Sequence, residues 1–128
     1  MPNLKPDEIL AHVKEFQQCA DHAVQNCLFN AAAICCYAAL FWAARAALAR
    51  EGFHNLSWRH GELRSTFTAE LINKRARYPG KFNNWISNAF ALRNIAQYHL
   101  NSPSAKKVRR SLSHAKEFLM KVEEEFNQ

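Results

Sequence analysis

The stretch from Phe82 to Ala105, FNNWISNAFALRNIAQYHLNSPSA, carries a single formal charge, on Arg93. A lone guanidinium among Phe90, Leu92, Ile95 and Ala96 is costly to desolvate unless something pairs with it. Six residues later stands His99, the side chain type whose charge is easiest to move near neutral pH. Asn101-Ser102-Pro103 then stops the helix, and Lys106, Lys107, Arg109 and Arg110 open the next one. One Arg, one His and a cluster of cations converging at a helix–helix corner make a candidate phosphate site.

Spacing alone leaves two readings open. On an ideal helix six residues rise roughly 9 Å and turn the two side chains about 120° apart. Arg93 and His99 therefore share no tight face. His99 continues the stripe Trp85, Ala89, Leu92, Ala96, whereas Arg93 follows Ile86 and Phe90. The bland reading makes His99 a core histidine near a helix end and pairs Arg93 with a carboxylate from the first or fifth helix. Asn94 reads either as an orienting group for a phosphate or the His, or as a plain polar residue on the helix surface.

The elements that must position these residues are helical. Only three Gly and four Pro in 128 residues leave little room for turns, and abundant Ala favours helix. The first helix is expected to start at Pro6, with Asp7 and Glu8 complementing its N-terminus and the stripe Ile9, Val13, Phe16, Ala20, Val24, Cys27 facing the core. His12 and His22 lie off that stripe and read as surface residues. The second helix, from about Asn30 to Glu51, is apolar nearly all round until Arg45, and Gly52 suits its C-terminal cap. Ala-rich, with Arg45 inside any membrane-length window, it reads as a buried central helix and not as a membrane span. Arg45 itself reads as a residue snorkelling from a buried helix, with a functional Arg as the alternative.

Ser57 is the expected cap of the third helix, which carries the stripe Leu63, Phe67, Leu71 and holds Trp58-Arg59-His60-Gly61 in its first turn. That turn favours anions, so Arg59 and His60 are candidate RNA-phosphate contacts; a loop histidine bonded to backbone is the alternative for His60. Lys74-Arg75-Ala76-Arg77-Tyr78-Pro79-Gly80-Lys81 reads as a mobile basic turn with Tyr78 available to stack on a base, or else as a plain solvated loop. The fifth helix is expected to begin with Ser102 as cap and Pro103 at its first position. Its stripe is Ala105, Val108, Leu112, Ala115, Leu119, Val122, Phe126. Cations at its start and Glu123-Glu124-Glu125 at its end both oppose the helix dipole. Bound phosphate or inter-helix ion pairs are the two explanations.

The length allows one domain with a single core. The net charge is +6 and uneven: residues 1–30 and 111–128 each sum to −2, whereas 59–81 and 101–110 each carry +4. Concentration of the excess on either side of Arg93 and His99 points to an anionic partner such as nucleic acid. The cysteines at 19, 27, 35 and 36 lack a Cys-x-x-Cys spacing and read as buried reduced thiols. Met1 to Lys14 is charged and has no apolar segment, so no signal peptide and a cytoplasmic, reducing compartment are expected. No Gly-rich phosphate loop, Ser nucleophile elbow or two-metal carboxylate cluster is present in the sequence. Six scattered His without ligand spacing make a zinc site unexpected, so no metal or cofactor is expected.

Arg93-Asn94-Ile95-Ala96-Gln97-Tyr98-His99 resembles the Arg-then-His motif of HEPN domains, including the polar residue just after the Arg. The Ala- and aromatic-rich second helix, Ser57-Trp58-Arg59-His60-Gly61 opening a third, and the motif late in the fourth resemble the same family over roughly residues 7 to 126. The resemblance implies an all-α, up-and-down antiparallel bundle of about five helices, residues 1–128 as one domain, and a homodimer whose motif residues face each other in a composite cleft. It further implies metal-independent RNA cleavage of the toxin or defence type, leaving a 2′,3′-cyclic phosphate and a 5′-hydroxyl. His99 would move the proton, Arg93 would stabilise phosphoryl charge, and Asn94 would orient. Lys106, Lys107, Arg109 and Arg110 would hold the RNA backbone. A nucleotidyltransferase-fold antitoxin is a possible partner, although Asn101 stands where one toxin branch has its modified Tyr. The alternatives are a catalytically silent module of this fold that binds nucleotide, RNA or a partner protein, and a generic helical-bundle interaction protein.

Overall fold

The computed structural model describes residues 5–128, so the first four residues of the expected domain lie outside the described residues. Five helices occur among the described residues: α1 (Pro6–Gln25), α2 (Phe29–Arg50), α3 (His60–Thr66, running on as a π-helical segment, Phe67–Lys74), α4 (Lys81–Tyr98) and α5 (Ala105–Phe126). No strand occurs among the described residues.

α1 does start at Pro6, with Asp7 and Glu8 in its first turn. It ends where Cys27 adopts a left-handed backbone (φ +57°), letting Leu28 N–H bond Ala23 O at 2.8 Å and Cys27 N–H bond Val24 O at 3.1 Å. α2 ends the same way at Gly52 (φ +90°), with Phe53 N–H on Leu48 O and Gly52 N–H on Ala49 O. Both are Schellman caps. Gly52 takes the left-handed conformation without strain; Cys27 takes it at a cost.

α2 is the axis. It packs along α1, α4 and α5 and touches α3. By length and composition it would suffice to cross a membrane, yet Ala32, Cys36, Ala39, Leu40, Ala43, Ala44 and Leu48 are all buried against its neighbours. The alanines let flanking helices approach closely, which is why an apolar circumference suits this position. At the far end Phe67, Phe82 and Phe118 are fully buried and in ring contact, with Tyr78 tilted against Phe67 at 5.3 Å. Truncating any of these three Phe to Ala would cost roughly 3–5 kcal/mol. The stripe Leu63, Phe67, Leu71 is wholly buried, although the backbone widens to π geometry from Phe67, ending with Arg75 N–H on Glu70 O at 3.2 Å.

Several expectations change. α3 begins at His60 without a side-chain cap, leaving Trp58 and Arg59 ahead of it, and Ser57 N–H instead bonds Asn55 Oδ1 at 2.9 Å. α5 begins at Ala105, capped by Ser104, whose Oγ accepts from Lys107 N–H; Pro103 is buried just before the cap and Ser102 is exposed. Cys19 and Cys27 are exposed and Cys35 is half-buried, so only Cys36 matches the expected buried thiol. Cys19 Sγ and Cys35 Sγ lie 3.2 Å apart as free thiols.

The basic turn 74–81 is tied down. Arg75 meets Glu70 at 2.6 Å and Glu51 at 3.9 Å, Arg77 meets Glu51 at 3.2 Å and Glu125 at 3.8 Å, and Lys81 meets Glu117 at 3.1 Å. Lys14 meets Glu123 at 3.5 Å. Ion pairs thus account for the acidic end of α5: Glu123 and Glu125 answer Lys14 and Arg77 from other elements, and Glu124 and Glu125 pair with Lys121 on α5 itself.

Candidate functional site

α4 presents Arg93 and His99 to two different places. Arg93 lines an open groove of about 540 Å³ between α2, α4 and the start of α3, together with Tyr37, Trp42, Trp58, His60, Phe90 and Gln97. Its guanidinium lies over the rings of Tyr37, Phe90 and Tyr98 at 5.6, 5.7 and 5.8 Å and donates to Asn94 Oδ1 at 3.1 Å. No carboxylate pairs with it among the described residues. The charge is held by aromatic faces and a neutral amide, and so is left available to an anion. Asn94 thus braces the Arg side chain through its Oδ1.

His99 stands one residue past the end of α4 in extended backbone (φ −115°, ψ 149°) and is exposed. The stripe of α4 therefore stops at Ala96, and the core-histidine alternative does not apply. Proximity to Asn101-Ser102-Pro103 ends the helix early and turns the imidazole toward a depression at the α4–α5 corner. Leu92, Ile95, Leu100, Ser104 and Lys107 line the same depression. The groove of Arg93 and the depression of His99 share no lining residue. Within one chain the two motif residues are not in one cleft.

Of the other candidates, Lys106, Lys107, Arg109 and Arg110 are exposed and form no ion pair among the described residues; Arg109 rests over Phe29 at 5.1 Å. Lys107 and Arg110 line a second groove between α4 and α5 with Asn88, Ile95, Ser111 and His114. Arg59 is exposed and outside the Arg93 groove. Tyr78 is 6 % exposed and packed among Phe67, Phe82 and Phe118, so its ring cannot take a base. Burial, with Glu125 and Glu51 nearby, pushes its phenol well above the ordinary range.

His60 belongs with Arg93. Its ring stacks on Phe90 at 3.7 Å and 12°, and its Nδ1 is hydrogen-bonded to Tyr37 Oη at 3.0 Å. Partial burial, with Arg64 and Arg93 close by, lowers its pKa below the usual histidine value. Burial pushes the Tyr37 phenol up to about 12. His60 thus has a side-chain partner, not the backbone bond expected of a loop histidine.

Spacing offered no signal for Tyr37, Trp42 or Trp58 as lining of the site. Three residues outside the motif build the groove's far wall. Arg45, buried at 8 % exposure, donates to Asn55 O at 3.2 Å and lies over Trp42 at 4.3 Å. Asn55 in turn donates to Glu62 Oε1 at 3.0 Å. This knot anchors the loop 51–59 at Asn55, and Trp58 further along it packs against the core. Among the described residues no group of three His, Cys, Asp or Glu side chains converges as a metal site.

Comparison with curated proteins returns no significant match. The family model of the HEPN domain matches residues 8–125, nearly the whole chain, and includes every motif residue above. A five-helix body built on an apolar central helix, with Arg93 late on the fourth and His99 just past its end, therefore belongs to the HEPN domain family.

Proposed function

We propose that the chain is a metal-independent endoribonuclease of the toxin or defence type whose active site is completed by a second copy. One observation carries the reading: both motif residues are chemically free. Arg93 has no carboxylate partner among the described residues and His99 is exposed beside Lys107. A symmetric dimer can gather groups that one helix spreads apart, which suits an Arg and a His that line separate depressions.

In the reaction the ribose 2′-hydroxyl attacks the adjacent phosphorus and the 5′-oxygen leaves. His99 takes the hydroxyl proton or delivers one to the leaving oxygen. Arg93, oriented by Asn94, stabilises charge growing on the non-bridging oxygens. Lys106, Lys107, Arg109 and Arg110 hold the strand through its phosphates without reading its sequence. A cytoplasmic setting suits the four free thiols, and a neutralising partner such as a nucleotidyltransferase-fold protein would act on this same corner.

The test is incubation of purified protein with mixed RNA in EDTA, beside His99→Ala and Arg93→Ala. Cleavage that survives chelation, leaves cyclic-phosphate ends and disappears in both variants is the expected result. Intact RNA with the native chain, or cleavage undiminished in both variants, would sink the proposal.

A further inference from the structure

The groove holding Arg93 has more aromatic surface than an Arg needs for support. Tyr37, Phe41, Trp42, Trp58, His60 and Phe90 line it, with Arg93 and Gln97 as polar groups at the α4 side. Most of these rings are already engaged. His60 stacks on Phe90, Tyr37 tilts against Phe41 and Phe90, and Trp42 is covered by His12 at 4.7 Å and by Arg45 at 4.3 Å. Trp58 is the exception: half-buried with one side packed against the core, three residues after the Asn55 knot, and in no ring stack or cation–π contact among the described residues. A rigid indole without a stacking partner and an Arg without a carboxylate, in one groove, match the two halves of a nucleotide.

We infer that this groove takes one unpaired nucleobase of the RNA strand, stacked on Trp58, with its phosphate drawn to Arg93. The volume of about 540 Å³ lies within the range of pockets that hold small organic groups. Stacking is tolerant of base identity, because every base has a π face. A base held in a duplex cannot reach the groove, so the substrate is single-stranded RNA or the loops of a folded one. Arg45 is a positioning residue in this scheme, acting through the Asn55 carbonyl on the loop that carries Trp58. The inference rests on the RNA-cleaving reading, and it assigns the base-holding role to Trp58, not to the buried Tyr78.

The experiment measures binding by fluorescence anisotropy at low salt, using His99→Ala to prevent cleavage. Three labelled probes are compared: a single-stranded RNA decamer, the same backbone with abasic sites, and a duplex of the same sequence. Native Trp58 should favour the single strand over both other probes by about tenfold or more, the worth of one stacked base. Trp58→Ala should remove that preference while leaving abasic-strand affinity unchanged, and Trp58→Phe should restore most of it. Equal affinity for base-bearing and abasic strands would overturn the groove assignment and leave RNA binding standing. No affinity for any strand would overturn both. Circular dichroism of the Trp58 variants separates a lost platform from a lost fold.

Discussion

Arg93→Met tests whether the motif Arg is held for chemistry or for stability, and Arg45→Met is its internal control. Arg93 is half-exposed and sits 5.6–5.8 Å from three ring centroids, near the outer limit of about 6 Å for a cation–π contact. One guanidinium shared among three rings does not triple the gain, so about 1 kcal/mol is the total expected. The bond to Asn94 adds roughly 0.5 kcal/mol at a partly wet site. Met keeps much of the packing, and the net loss should be about 1 kcal/mol. For 128 residues, an unfolding entropy of about 2.1 cal/mol/K per residue makes each kcal/mol worth about 4 °C of Tm. Arg45 differs on every count: it is buried, its ring contact is at 4.3 Å, and it alone satisfies Asn55 O. Its replacement leaves a part-buried carbonyl unpaired and should cost about 2–4 kcal/mol. Urea midpoints and thermal melts measure both variants, and cleavage of RNA in EDTA measures the first. A functional Arg93 gives a small stability change with cleavage abolished. A loss of 3 kcal/mol or more in Arg93→Met, or full cleavage by it, would refute the reasoning.

Three further outcomes are expected. Burial, with cations close by, depresses the pKa values of His60 and His114, so the unfolded chain binds protons more readily than the folded one; stability is fully present above the ordinary histidine pKa and falls as pH drops below about 6.5. Urea midpoints at two pH values should show that fall, and His60→Gln and His114→Gln should each reduce it. Cys27→Gly, which relieves a left-handed non-glycine cap, should stabilise by about 0.5–1 kcal/mol, whereas Gly52→Ala should destabilise by about 1 kcal/mol. Both are read by denaturant unfolding. Changing Lys106, Lys107, Arg109 and Arg110 together to Gln should lower the slope of log affinity for single-stranded RNA against log salt by about 2–3. Arg75→Gln and Arg77→Gln should leave that slope unchanged and reduce stability, because those two cations are spent on Glu51, Glu70 and Glu125.

What was legible in the sequence depended on neighbours within a few turns. Pro6 at a helix start, Gly52 at a helix end, the apolar circumference of α2 and the stripes Leu63-Phe67-Leu71 and Val108-Leu112-Ala115-Leu119-Val122 all rest on local steric preference and helical period. The Arg93–His99 pair was legible as a motif only through the family resemblance, since spacing left its role open, and the charge imbalance was read directly from the residues. Tyr78 was misread because its sequence neighbours are cations and a Pro-Gly turn, while its spatial neighbours are Phe67, Phe82 and Phe118. The basic runs 74–81 and 106–110 look alike in sequence, yet the first is taken up in ion pairs with Glu51, Glu70, Glu117 and Glu125 and the second forms none among the described residues. Only the packing of α2 against α4 and the loop 51–59 brings Tyr37, Trp58 and His60 to Arg93. That convergence spans more than fifty residues of chain, and helical periodicity carries no information over such a distance. The sequence determines the helices and the groups able to do chemistry; which of those groups meet is decided by how five apolar faces close on one another.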